Sequence, residues 1–149
     1  MDARSLTKDF KEFLQCLNAH GVEFLVIGGH AVAFHGYPRA TADLDVWVAV
    51  NTDNAARLVE SLREFGFDVP DLDAALFLRE GRIIRMGLPP NRIEIQTGID
   101  GVRFDACHPR RIIADLDGVE VSFISLEDLK ANKRASGRNK DLADLDYLP

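Results

Sequence analysis

Residues 24–48 carry the pattern that most constrains this chain: an apolar run, two adjacent glycines, a short stretch suited to one or two helical turns, and a second apolar run with aspartates at alternate positions. The first run, residues 22–27, is short and partly β-branched, which reads as a buried strand. Gly28 and Gly29 then allow a tight turn with positive φ and close approach of a ligand. Backbone N–H groups at the start of a following helix, about residues 30–35, would face outward, where they suit an anion. Neither G-x-G-x-x-G nor a Walker Lys-Ser/Thr pair is present, which excludes a dinucleotide fold and a P-loop.

Side chains along a strand alternate between faces, so Asp43, Asp45 and Trp47 are expected on one side, with Leu44, Val46 and Val48 on the core side. Two carboxylates on one strand face repel by roughly 4 kcal/mol at 4 Å with an effective dielectric near 20. A folded protein keeps such a pair most readily with a cation between them. Hard oxygen donors without His or Cys point to Mg²⁺ or Mn²⁺ rather than zinc. A solvated edge strand with two exposed acids is the alternative reading of Asp-x-Asp taken alone.

Gly28-Gly29 followed fourteen residues later by Asp43-Leu-Asp45, with Arg39 and Thr41 between, resembles the signature of the DNA polymerase β-type nucleotidyltransferase superfamily. The resemblance implies that the glycine pair opens a short helix holding the nucleotide's phosphates, and that the paired acids bind two catalytic metals together with a third carboxylate on a neighbouring strand. In residues 91–96, Ile93 and Ile95 alternate with Arg92, Glu94 and Gln96, so Glu94 is the candidate for the third acid. The C-terminal residues Leu126, Leu129, Lys133, Ala135, Arg138, Lys140, Asp141 and Asp144 look like the helical tail of small bacterial nucleotidyltransferases of the AbiEii, toxin–antitoxin type. This chain departs from the pattern twice: many relatives carry Gly-Ser where Gly28-Gly29 stands, and the third acid is Glu94 rather than the commoner Asp.

Composition agrees with a small cytoplasmic enzyme. A chain of 149 residues with 46% hydrophobic and 28% charged residues suits one domain with a real core. No apolar run reaches membrane-spanning length, and no signal-peptide core is present. Cys16 and Cys107 lack any meaningful spacing, which favours a reduced compartment. A net charge of −6 argues against a generally basic nucleic-acid binder. Basic residues nevertheless gather in two places, Lys130 to Lys140 and Arg79, Arg82, Arg85, Arg92 and Arg103, near the acids where a triphosphate or an RNA end would need them.

Periodicity and caps predict a first helix over residues 5–19, a helix capped by Asn51 or Thr52 and running to about Phe65, strands at residues 82–86, 92–97 and 119–124, and a helix capped by Ser125. A break near Ser136 and Gly137 precedes a terminal helix with Leu142, Leu145 and Leu148. Residues 70–78 remain ambiguous. His30 is read as a helix-surface residue, with contact to a phosphate or base as the alternative. Absence of G-x-S-x-G and of H-E-x-x-H argues against hydrolase chemistry.

The expectation is an α/β (α+β) nucleotidyltransferase fold over residues 1–149: a core at about 20–124 with a small mixed β-sheet flanked by helices, and a C-terminal helical pair at about 125–148. The resemblance implies transfer of a nucleoside monophosphate from an NTP to a hydroxyl of a tRNA end, a protein or a small molecule. Asp43, Asp45 and Glu94 would hold Mg²⁺ or Mn²⁺, and Gly28, Gly29, Arg39, Thr41, Lys133 and Arg138 would hold the nucleotide. A cognate toxin or antitoxin is the expected protein partner. A catalytically silent nucleotide-binding or protein-interaction module is the alternative.

Overall fold

The computed structural model describes residues 6–38 and 43–149, so Ser5, Arg39 and Thr41 lie outside the described residues. Helix α1 (Lys8–Ala19) starts where the Thr7 side chain accepts from the Phe10 amide, and it buries Phe10, Phe13, Leu14 and Leu17 on one stripe. Strand β1 (Phe24–Ile27) is buried along its whole length. It runs directly into α2 (Gly28–Phe34), which begins at the first glycine rather than near residue 30. Strand β2 (Leu44–Val48) leads to α3 (Thr52–Phe65), capped by Asn51 and terminated by Gly66 at φ 114°. Residues Ala74–Phe77, ambiguous from sequence, form a 3₁₀ turn that buries Phe77.

Strands β3 (Ile83–Met86) and β4 (Ile93–Gln96) follow, then the short α4 (Phe104–Cys107), β5 (Ile112–Leu116) and β6 (Val119–Phe123). Helix α5 (Leu126–Ser136), capped by Ser125, and α6 (Asn139–Tyr147) pack on one another as the C-terminal pair. Six strands form one mixed sheet in the order β3-β4-β2-β1-β6-β5. This is the expected class, a mixed α/β sheet flanked by helices. Helices α1 and α3 pack together, and Ser61 Oγ donates to the Cys16 carbonyl at 3.3 Å between them. Among the described residues, no helix is long and apolar enough to cross a membrane.

Strand β5 was not foreseen. It pairs with β6 through a turn at Asp117 and Gly118, both at positive φ (54° and 83°), the Asp-Gly combination that two-residue hairpins favour. The predicted alternation of β2 holds on its core side, where Leu44, Val46 and Val48 are buried. On the other side Trp47 is buried too, edge-on to Phe104 with ring centroids 5.2 Å apart. The open part of this face therefore ends at Asp45.

Candidate active site

The strand register brings the acids together. β2 pairs in parallel with β4, setting Asp45 beside Glu94 and Trp47 beside Gln96. β3 pairs antiparallel with β4, setting Arg85 beside Glu94. On the other flank β1 pairs antiparallel with β2, setting Ile27 opposite Asp45. One row across the sheet thus reads Arg85, Glu94, Asp45, Ile27, and Gly28 comes next in the chain. Asp43 lies immediately before β2, anchored by the neighbouring Leu44 amide donating to the Arg92 carbonyl at 3.0 Å.

Gly28 is required here for two separate reasons. Its φ of +68° lies in the left-handed region, and a Cβ built on it would come 2.2 Å from Asp45 Oδ2. The carboxylate therefore rests against bare backbone. Gly28→Ala is expected to lower stability by about 2–5 kcal/mol, the sum of roughly 1–2 for a left-handed alanine and roughly 1–3 for overpacking. Urea denaturation checks this, and a loss under about 1 kcal/mol would mean that Asp45 moves aside freely.

The acids differ in their partners. Arg92 donates to Asp43 Oδ2 through Nη2 at 2.8 Å and Nε at 3.3 Å. Arg85 Nε donates to Glu94 Oε1 at 2.9 Å, and Arg92 Nε lies 3.8 Å from that same oxygen. Among the described residues Asp45 has no arginine partner, and its Oδ1 is buried without a hydrogen-bond partner. Burial first, then a hydrogen bond and repulsion from Glu94, and repulsion from Asp43 push its pKa up to about 8, with Lys140 acting the other way. Like charges crowded out of water shift a carboxyl in this direction.

The donor set fits a hard divalent cation. All donors are oxygens, and the buried Asp45 Oδ1 together with the Asp45–Glu94 repulsion are features that a cation would relieve. Among the described residues, no three acidic, His or Cys side chains form a group that could hold a metal ion by itself. Mg²⁺ does not require one, because it is commonly held by one or two carboxylates together with substrate phosphates.

Gly28, Gly29, Asp43, Asp45 and Glu94 line a cleft of about 820 Å³, walled on the far side by Lys133, Ser136, Arg138, Lys140 and Asp141. The two predicted basic residues reach this wall already engaged. Lys133 Nζ lies 3.1 Å from Asp141 and 3.0 Å from Asp144, with all three side chains only 6% exposed. Arg138 Nε donates to Asp141 Oδ2 at 2.8 Å but leaves its side chain 77% exposed. Burial alone would raise the Asp141 pKa, yet hydrogen bonds from Ser136, Arg138 and Lys133 hold it below the ordinary carboxylate range. Loop residues 98–100 complete the cleft, and the loop sits tightly on α5. Asn132 Nδ2 donates to the Asp100 carbonyl at 2.9 Å, and a Cβ on Gly101 would come 2.4 Å from Ala135 Cβ.

Three residues gain roles that sequence reasoning did not assign. Arg85 and Arg92 were noted only as part of a basic cluster, yet they hold Glu94 and Asp43. Lys140, adjacent in sequence to Asp141, faces the cleft from the start of α6. His30 corrects the surface reading: it is 3% exposed and packs edge-on against Phe10 with ring centroids 5.7 Å apart. Its neighbour along the helix, His35, contacts the Ile124 carbonyl through Nε2 at 2.6 Å.

No protein-family model matches the sequence, and no curated protein matches it. The structure is similar to a solved structure of an antigenic nucleotidyltransferase-like protein from Paracoccidioides brasiliensis, with 17% identity and a TM-score of 0.51 over 94% of this chain and 74% of that one. The chain has a nucleotidyltransferase-like fold.

Proposed function

We propose that this chain transfers a nucleoside monophosphate from an NTP to a hydroxyl acceptor and releases pyrophosphate. One observation carries the reading: Asp45 is held between the bare backbone of Gly28 and the carboxylate of Glu94, on the floor of a cleft of about 820 Å³. The Gly28 and Gly29 amides would hold the β- and γ-phosphates, with the exposed Arg138 adding positive charge from the opposite wall and Lys133 acting through the acids it holds there. Arg39 and Thr41, between the two motifs in sequence, belong to the same nucleotide set. Asp43, Asp45 and Glu94 would hold Mg²⁺ or Mn²⁺, which when bound stabilises charge on the phosphoryl oxygens. The acceptor oxygen bonds to the α-phosphorus as the bond to the bridging oxygen breaks. Pyrophosphate carries away that electron pair, and one of the carboxylates takes the hydroxyl proton.

A tRNA end, a protein side chain and a small hydroxyl compound remain the three acceptor classes, and a toxin–antitoxin or phage-defence setting suits each. The test is incubation with each NTP labelled at the α-phosphate, Mg²⁺ and a cell lysate. Label in one acceptor and stoichiometric pyrophosphate are expected. No transfer and no pyrophosphate with any NTP would overturn the reading.

A second reading, a silent nucleotide-binding or protein-interaction module, draws on Arg92 and Arg85 already pairing with Asp43 and Glu94. Nucleotide-dependent thermal stabilisation without pyrophosphate release would favour it.

A further inference from the structure

The cleft wall contains three cations whose situations differ. Lys133 is locked between Asp141 and Asp144, and Arg138 is held by Asp141. On the floor, Arg92 and Arg85 are bound to Asp43 and Glu94. A polyphosphate entering the cleft would have to take any of these away from a carboxylate, and for Lys133 it would withdraw the ammonium that sits between two buried acids, Asp141 and Asp144. Lys140 alone among the described cations lining the cleft makes no ion pair or hydrogen bond with the protein. It is exposed at the second residue of α6, and its charge is close enough to act on the buried Asp45 carboxyl.

Resting on the nucleotidyltransferase reading, we propose that Lys140 is the residue that grips the polyphosphate of the incoming nucleotide. The buried Lys133–Asp141–Asp144 cluster acts one step removed. It fixes the start of α6 against α5, so that Lys140, one residue before Asp141, is presented toward Asp45 and Gly28 across the cleft. A flexible ammonium with three donors suits a ligand that arrives as a polyphosphate and leaves as pyrophosphate, since it can follow the phosphates without a fixed fork geometry.

Pyrophosphate and tripolyphosphate, with Mg²⁺, are the probes, because they report on the phosphate site whatever base or acceptor is used. Calorimetric titration is expected to show binding by wild type and by Lys140→Arg, and a loss of roughly 10- to 100-fold for Lys140→Ala, the scale of one charge-assisted hydrogen bond. Arg134→Ala, which removes the same charge from the exposed side of α5, should stay within about threefold of wild type, as expected for a screened distant charge. Thermal melts should find the Lys140→Ala protein as stable as wild type. Binding by Lys140→Ala within about twofold of wild type, or an equal loss in Arg134→Ala, would overturn the role of Lys140 while leaving the nucleotidyltransferase reading intact. Failure of wild type to bind either probe would overturn both.

Discussion

Asp45→Asn is expected to abolish nucleotidyl transfer while making the ligand-free protein more stable at alkaline pH. The first effect follows from the carboxylate's place between Gly28 and Glu94. Losing an oxygen that holds a metal at the reacting phosphate forfeits several kcal/mol of transition-state stabilisation, and about 1.4 kcal/mol is tenfold, so a fall of roughly a thousandfold or more is expected. Asp43→Asn should do the same, and Glu94→Gln should reduce transfer strongly. The second effect has the opposite sign. With its pKa at about 8, folded Asp45 holds a proton that the unfolded chain has already lost. Wild-type stability therefore falls as pH rises from the ordinary carboxylate range through about 8. An amide neither repels Glu94 nor titrates, so the variant should lack this slope and exceed wild type above neutral pH. Mg²⁺ with the correct NTP should restore wild type by about 2.7 kcal/mol at a hundredfold excess over the Kd, and the variant should gain nothing. Thermal melts from pH 5 to 9, with and without nucleotide, are the measurement. Wild-type transfer rates in an Asp43→Asn/Asp45→Asn double variant would refute the assignment.

Lys133→Ala is expected to cause the largest stability loss on the C-terminal side, about 3–5 kcal/mol, the scale of stripping the counter-ion from a buried pair. For a chain of this size that is a fall of roughly 6–20 °C in Tm. Replacing all three together, Lys133→Met with Asp141→Asn and Asp144→Asn, should recover most of the stability because no uncompensated charge remains. Denaturant titrations of wild type and both variants at pH 7.5 check this. A Lys133→Ala protein within about 1 kcal/mol of wild type would mean that the cluster contributes little to the fold.

Strand alternation was enough to place Asp45 and Glu94 on the same face, because Leu44, Val46, Ile93 and Ile95 mark the buried side unambiguously. Caps at Asn51 and Ser125 fixed helix starts for the same local reason, whereas α1 starts at Lys8 behind a Thr7 cap and not near residue 5. What escaped the sequence depended on partners remote along the chain. Which lysine is engaged is decided by Asp141 and Asp144 on a different helix from Lys133, so composition could count the cations without ranking them. Trp47 is buried because Phe104, more than fifty residues on, covers it. His30 falls inside for a similar reason, as Phe10 of α1 packs against it. Strand β5 was overlooked because it is an edge strand whose Ile112 and Ile113 are both substantially exposed (42% and 50%), which blurs the alternation. The Asp117-Gly118 turn was the available signal.

The seat of Gly101 on α5 bears on how the wall of the cleft is held. Its backbone lies where even a methyl group would strike Ala135, so the close seat of the loop on α5, beside the cleft, depends on the absence of one carbon atom. Such a gap works as a fixed gauge. A side chain at position 101, where φ is +80°, would strain the loop and press on α5, the helix that carries Lys133, whereas the acids on β2 and β4 belong to the sheet. The wall and the floor of the cleft thus rest on different parts of the fold, and position 101 governs only how closely the wall's helix can approach the loop.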